Sequence, residues 1–382
     1  MESQQSGMCI LHLANDFAGS KVYKNLFAAL DTNYNLKQIV YTAIRSHELT
    51  NKNRINFEQQ SSHIIYRHIL NPLTRILFRR KIKKIALDIE KCVDLKNVDM
   101  IHAHTWYSDG GAAYLLSKKY NIPYVVTVRS SDTEIFFKYM LHLRGFGKRI
   151  LVNAKNVVFL TPTYASRILR HKYFDGVYEQ LAKKHYVIPN GIDEFWLRNF
   201  ADSKNEIPDK VRLIYVGTFL KRKNVTKVID AVEYLRKKGD DVSLTLVGGG
   251  GADHDRVIGL IKNKAYYNYV GKIVDKVKLK ELYNEADIFV MPSVRETFGL
   301  VYLEAISQGL PIIYLANDGI DGLFDTKVGI ALNKDNIGVE LPKAIISIAA
   351  NLPSYSFFAK QTLEGYGWPK MAEKYMKMYK PN

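Results

Sequence analysis

Residues 286 to 314, ADIFVMPSVRETFGLVYLEAISQGLPIIY, decide how the chain around them folds. DIFVM (287 to 291) and PIIYL (311 to 315) are short apolar runs with the β-branched and aromatic content of buried strands. Between them, GLVYLEAISQG (299 to 309) carries apolar residues at helical spacing. Strand, helix and strand in that order make a βαβ unit, and such units build a parallel sheet. Working outward, RLIYV (212 to 216) and SLTLV (243 to 247) read as further strands, with helices over 224 to 238 and 276 to 286. The first half repeats the alternation less regularly. Its strands are MCILHLA, LKQIVY, HIIY, VDMIHA, PYVVTV, NVVFL and HYVIP, and its helices fall near 22 to 30, 73 to 91 and 110 to 119.

The expected fold is therefore α/β, with two Rossmann-like doubly wound domains facing across a cleft and joined near the Pro-Asn-Gly turn at 189 to 191. The first domain would span 1–190 and the second 191–364, with a late helix over 365–382 packing back on the first. Sheets of this kind bind ligands beyond the carboxyl ends of their strands.

A length of 382 residues suits two domains. Lys and Arg number 55 against 38 Asp and Glu, a formal charge of +17, while 47% hydrophobic and 12% aromatic residues exclude a disordered basic tail. Up to residue 195 there are 28 basic and 16 acidic residues, against 27 and 22 beyond it, so the surplus is mostly in the first half. Cys9 and Cys92 make no disulfide framework and have no ligand spacing, which implies a reducing compartment. No apolar run approaches the ~20 residues that span a bilayer, and the expectation is a cytoplasmic chain. Nucleic acid, anionic lipid and phosphorylated small molecules all remain admissible partners for this charge.

In the 291 to 311 stretch, Glu296 falls in the loop and Glu304 one to two turns into the helix. The helix start at Phe298, Gly299 and Leu300 offers unpaired N–H groups and a positive dipole end suited to a phosphate. Carboxylates beside such a site would repel the phosphate on contact, so they are expected to accept hydrogen bonds from sugar or ribose hydroxyls. Taken alone, the two residues read equally as a solvated loop acid and an ordinary helix-face acid. YVGTFLKRKNV (215 to 225) is again strand, loop and helix, with Lys221, Arg222 and Lys223 crowding a helix entrance where cations oppose the dipole unless an anion compensates. A solvated basic turn is the plain alternative.

Together these stretches resemble the donor-binding domain of glycosyltransferase family 4, the retaining nucleotide-sugar transferases of GT-B architecture. VIPNGID (187 to 193), YVGTFLKRKNV, LTLVGGG (244 to 250), YVG (269 to 271), the 286 to 314 stretch and the Trp368 helix carry the likeness. The most specific part is the glutamate pair framed by S-x-x-E-T-F-G-L and E-A-x-x-x-G-x-P. The resemblance implies that Glu296 contacts the donor sugar, that Glu304 holds the ribose hydroxyls, and that the 298 to 300 backbone meets sugar and diphosphate. Lys223 would neutralise the diphosphate, and Ile273 would lie near the base. Thr218 stands where the family has an arginine, so Arg222 or Lys221 is expected to supply the missing charge.

In the first half, NDFAGSKVYKNLFAAL (15 to 30) resembles the family's glycine-containing loop, reduced here to Ala18-Gly19, and Gly19 is a candidate donor contact. His102 and His104 stand two apart at a strand end and point the same way, but no third ligand with suitable spacing follows, so no metal is expected. His104 remains a candidate acceptor-side residue. Arg129 stands where family members carry a histidine. An arginine stays protonated and cannot act as a base, but it can hold a sugar hydroxyl or the leaving phosphate. Asp132 is a candidate acceptor contact or, alternatively, an ion-pair partner for Arg129.

NPLTRILFRRKIKKIALDIEK (71 to 91) puts Phe78, Ile82, Ile85 and Ile89 on one helical face and Arg75, Arg79, Arg80, Lys83 and Lys84 largely on another. It reads as a sheet-packed helix with a solvated basic side, or as a docking surface for an anionic membrane. The implied activity is transfer of a sugar from a nucleotide diphosphate to a saccharide acceptor, lipid-linked, in surface polysaccharide or glycan biosynthesis, with no cofactor and no metal. The catalytic set would be Glu296, Lys223 and Arg129. The alternatives are another GT-B enzyme such as a nucleotide-sugar epimerase, and a basic nucleic-acid binder, against which stands the lack of any RNA-binding motif.

Overall fold

The computed structural model describes residues 7 to 72, 74, 77 to 201, 206 to 324, 327 to 355 and 363 to 380. Two parallel sheets organise them. The first unit comprises Met1–Leu160, Ala165–Gly191 and Trp368–Asn382, and the second Thr161–Tyr164 and Ile192–Gly367. The first-domain expectation of one unbroken segment to 190 thus fails at Thr161–Tyr164. These four residues group with the second unit, where the Thr163 hydroxyl donates to the Asp321 carbonyl.

The first unit holds seven strands: β1 (Cys9–Leu13), β2 (Lys37–Ile44), β3 (His63–His68), β4 (Met100–Ala103), β5 (Tyr124–Thr127), β6 (Asn156–Phe159) and β7 (His185–Val187). They pair in parallel in the order β3-β2-β1-β4-β5-β6-β7. All residues of β1, β4, β5 and β6 are buried, as continuous apolar runs in a two-sided parallel sheet should be, whereas edge strand β3 is half-buried. The chain reverses its direction of winding between β1 and β4, and their separating loops open a crevice at the carboxyl ends. Register sets His12 of β1 beside His102 of β4.

The second unit repeats the plan with β8 (Val211–Gly217), β9 (Val242–Gly248), β10 (Tyr267–Gly271), β11 (Ile288–Val290), β12 (Ile312–Leu315) and β13 (Gly329–Leu332), in the order β10-β9-β8-β11-β12-β13. Its crevice lies between β8 and β11. The sequence pattern does not disclose β10 or β13. Both are edge strands, and β10 lies half in solvent, which dilutes the apolar run that identifies a central strand. The helix Ile337–Ala349 also escapes the pattern, because Pro342 sits inside it.

The helix Trp368–Tyr379 supplies part of the first unit's core. Its stripe of Trp368, Met371, Ala372, Tyr375, Met378 and Tyr379 is buried against Tyr23, Leu26, Phe27 and Leu30 of the helix Lys21–Asn33. The Tyr379 hydroxyl reaches His102 Nδ1 at 2.5 Å. Trp368 lies so close to Gly191 that a Cβ there would stand 2.5 Å from the indole ring. Gly191→Ala should therefore force that ring outward and destabilise the protein by about 1–3 kcal/mol, read as a lowered midpoint in thermal denaturation. An unchanged midpoint would mean the ring is not held against that turn.

Candidate active site

In the second unit the loops that leave β8 and β11 are bonded to one another. The turn Lys221–Lys223 ends on Asn224, which is left-handed at φ 54° and donates its amide to the Pro292 carbonyl at 2.7 Å. Val294 N–H donates to the Arg222 carbonyl, also at 2.7 Å. These bonds bring the cationic turn onto the glutamate loop. The Lys223 ammonium donates to Glu296 Oε2, which also accepts from Ser293 Oγ at 3.2 Å and lies 3.7 Å from Arg222 Nη1. Lys223 and Glu296 side chains are only 12% and 15% exposed, so the pair is weakly screened, whereas Arg222 at 45% is largely in solvent. Two cations around one carboxylate leave a local positive surplus.

That surplus faces the start of the helix Leu300–Ser307. Gly299 precedes it with φ 80°, and a Cβ there would press into the Tyr302 ring at 2.6 Å, so only glycine fits. Tyr302 is fixed in turn, its hydroxyl donating to the Met291 carbonyl at 2.5 Å. Phe298 is buried and anchors the segment, while Gly299 and Leu300 are partly open, which leaves their backbone for a ligand. Asp318 and Gly319 brace the loop from behind. Arg295 N–H donates to the Asp318 carboxylate, and Gly319 N–H to the Glu296 carbonyl at 2.9 Å.

Glu304 sits apart from this cluster. It is deeply set beside the Tyr283 hydroxyl, 3.5 Å away, and burial pushes its carboxyl up to about 7, against the lowering effects of Tyr283 and Lys276. Thr218 lies in the β8 loop, where its carbonyl accepts from Tyr215 at 3.2 Å, and Ile273 is half-buried in the loop after β10. The structure thus collects Thr218, Arg222, Lys223, Glu296, Phe298, Gly299 and Leu300 around the β8–β11 crevice. Ser293, Asn224 and Asp318, which hold that set in place, were not singled out by the sequence. Asn224 directly before a helix was the available signal, since asparagine tolerates left-handed backbone.

In the first unit Gly19 ends the turn Phe17–Gly19 after β1 and is exposed. Arg129 follows β5. Its Nε donates to the His104 carbonyl at 3.1 Å, its Nη1 reaches Asn190 Oδ1 at 3.5 Å, and its guanidinium lies 4.8 Å from the Tyr23 ring centre. Asp132 corrects the expectation of an acceptor contact. It is 1% exposed, and its carboxylate accepts from the backbone N–H groups of Trp106, Tyr107 and Arg129 at 2.8 to 3.0 Å, so it ties the β4 and β5 loops together. Burial holds its carboxyl up at about 6 despite those bonds.

His104 is likewise unavailable to an acceptor through its side chain. It has no exposed surface, lies tilted against the His102 ring with centroids 3.9 Å apart and bonds His12 Nδ1 through Nε2 at 3.1 Å. The expected lack of a third ligand is corrected too, since β1 delivers His12, and the three imidazoles are the one such grouping among the described residues. Both nitrogens of His102 are engaged, by Tyr379 and by Thr127 Oγ1 at 2.9 Å. Burial depresses all three, His12 to about 3, which keeps the rings neutral. A metal held by all three rings would have to displace a partner of His102, whereas His12 Nε2 and His104 Nδ1 have no hydrogen-bond partner.

The helix Phe78–Cys92 exposes Arg79, Arg80, Lys83 and Lys84, while Arg75 lies outside the described residues. Its sequence reading missed Lys81. This lysine falls three residues after Phe78 and four before Ile85, on the apolar face, and it is 7% exposed. A lysine at a core-facing position was the signal.

The sequence pattern of the Glycosyltransferase Family 4 family matches residues 39–194, and that of Glycosyl transferases group 1 matches residues 198–351. The putative teichuronic acid biosynthesis glycosyltransferase TuaC of Bacillus subtilis is 27% identical over 270 residues, covering 68% of this chain and 63% of that protein, a little under two thirds of its length. The alpha-monoglucosyldiacylglycerol synthase of Acholeplasma laidlawii is 26% identical over 292 residues, covering 71% and 69%. Among solved structures, sucrose-phosphate synthase from Thermosynechococcus elongatus superposes with a TM-score of 0.75 at 21% identity, over 97% of this chain and 98% of that one. Anabaena HepE in complex with UDP and glucose gives 0.65 at 15% identity, over 97% and 98%. Two family patterns laid end to end, one on each parallel sheet, make the conclusion plain: the chain belongs to glycosyltransferase family 4 and has the GT-B fold.

Proposed function

We propose that this protein is a retaining glycosyltransferase that moves a sugar from a nucleotide diphosphate to a hydroxyl of a lipid-linked saccharide acceptor, in surface polysaccharide or glycan biosynthesis. The observation that carries the reading is the contact of Lys223 with Glu296 at the start of the helix Leu300–Ser307. A diphosphate offers Lys223 a more highly charged partner and sits on the open N–H groups at Gly299 and Leu300. Glu296 is then released to accept hydroxyls of the donor sugar, and Glu304 accepts the ribose hydroxyls. The bond between the anomeric carbon and the phosphate oxygen breaks with its electron pair leaving on phosphate. The acceptor oxygen bonds the same carbon on the same face, and its proton passes to the departing phosphate, so the anomeric configuration is kept. Lys223, Arg222 and the helix start stabilise the leaving charge. The scheme calls on no metal.

The acceptor is assigned to the first unit. The name of the Bacillus relative supports a polysaccharide role, and that of the Acholeplasma relative a lipid one. No described helix is long and apolar enough to cross a membrane. Surface attachment is instead assigned to Arg79, Arg80, Lys83 and Lys84, with exposed Ile135, Tyr139 and Leu141 as the apolar part. Phe136 packs on Phe78 at 5.0 Å between ring centres, which ties these side chains to the start of the basic helix.

Glu296→Ala should lower transfer from the native donor by about two orders of magnitude, and Lys223→Ala should weaken binding of the nucleotide diphosphate about 10- to 100-fold, in variants whose melting curves stay normal. Wild-type turnover or affinity in these variants would remove the site assignment. Because Glu304 accepts hydroxyls only when ionised, nucleotide affinity should climb from pH 6 to pH 8, by at most about tenfold per pH unit below the carboxyl's midpoint. A flat profile from calorimetric titration, or one that survives in Glu304→Gln, speaks against the ribose role. Replacing Arg79, Arg80, Lys83 and Lys84 together by Gln should abolish salt-sensitive binding to anionic liposomes, with indifference to lipid charge in the wild-type chain as the contrary result.

A further inference from the structure

The first unit contains a cavity of about 500 Å³ bordered by Arg45, Lys81 and Arg129, which come from three different parts of the chain. Lys81 projects from the buried face of the helix Phe78–Cys92. Its ammonium donates to Ser108 Oγ at 2.8 Å and lies 5.7 Å from the Phe78 ring centre. That is one of the three hydrogen bonds an ammonium can make, and among the described residues no carboxylate is paired with it within 4 Å. A lysine kept in the core at this cost needs a compensating anion.

The neighbouring acids supply it only in part, Asp109 attracting the ammonium from beyond 4 Å. Asp132 spends both oxygens on main-chain amides. Asp109 accepts from Asn15 N–H at 3.3 Å, and its burial disfavours the charged form. Asp16, on the cavity wall, is exposed. Arg45 stands at the rim, held by the Asn71 carbonyl at 3.3 Å and Thr74 Oγ1 at 3.5 Å. Ser108, Ser130 and Ser131 add hydroxyls to the wall.

We propose that the acceptor carries an anionic group, a phosphate or a carboxylate on its sugar, and that Lys81, Arg129 and Arg45 bind it in this cavity. Lys81 is the determinant, since its ammonium is the one buried among the three. The inference rests on the assignment of the first unit to the acceptor.

The test titrates glucose 6-phosphate, glucose 1-phosphate, glucuronate and glucose into the full chain by calorimetry, in the presence of UDP, GDP or ADP, whichever binds. At least one anionic sugar should bind about tenfold or more tightly than glucose, and the pattern distinguishes phosphate from carboxylate. Lys81→Met, of similar length and apolar, should erase that preference, and Arg45→Gln, at an exposed position where folding is not at stake, should reduce it. Lys91→Met, an exposed change on the same helix, should leave it intact. Equal or undetectable binding of all four sugars overturns the proposal, as does a preference that survives both Lys81→Met and Arg45→Gln. If nucleotide binds and transfer proceeds only to neutral acceptors, this inference alone fails. If no nucleotide binds, the donor reading fails with it.

Discussion

Two main-chain hydrogen-bonding groups, the carbonyls of Arg222 and Pro292, hold the candidate site together. Each accepts a bond from the opposite loop, and the loops in question leave neighbouring strands β8 and β11. Parallel strands fix the starting points of these loops, and the reversal of winding keeps any helix from filling the gap between them. A basic turn and an acidic loop are thereby pressed into contact, although Lys223 and Glu296 lie 73 positions apart. Without the two bonds, Lys223 would be one more lysine on a surface rich in them. With them it is a nearly enclosed charge paired with Glu296.

The β8–β11 crevice was largely legible because its parts are local. Glu296, Gly299 and Glu304 lie within nine residues on one strand-loop-helix segment, and their spacing alone fixes which end of the helix each one serves. The central strands were legible for the same reason, as each is a short apolar run buried on both faces. What stayed hidden depends on register and tertiary neighbours. His12 meets His102 and His104 because β1 pairs with β4, a relation that no spacing rule reports. Asp132 looked like a ligand contact because acids at strand ends so often are, yet three backbone amides claim it. Edge strands β10 and β13 lacked a distinctive pattern because one side of each has no neighbour.

The charge of the chain divides along similar lines. Exposed lysines and arginines on the helix Phe78–Cys92 are solvated and cost little, and any pairing they make is worth less than about 1 kcal/mol. Lys81, on the same helix but turned inward, belongs to a different physical class. Its ammonium has surrendered water and received one hydroxyl, so its environment matters more than its sign. A count of +17 treats these residues alike, whereas the fold separates them into a few enclosed charges with work to do and many at the surface.

The helix Trp368–Tyr379 completes a core whose other members lie before residue 191. As the chain emerges from the ribosome, the first sheet can assemble early, but Tyr23, Leu26, Phe27 and Leu30 lack their cover until roughly 180 further residues have been made. At about 5–20 residues per second, that interval is roughly 10 to 35 s. All of the second unit except Thr161–Tyr164 is synthesised within it, so the order of translation runs against the order of completion. An apolar groove on the nascent chain must stay open throughout, which makes this stage the natural point of engagement for a chaperone.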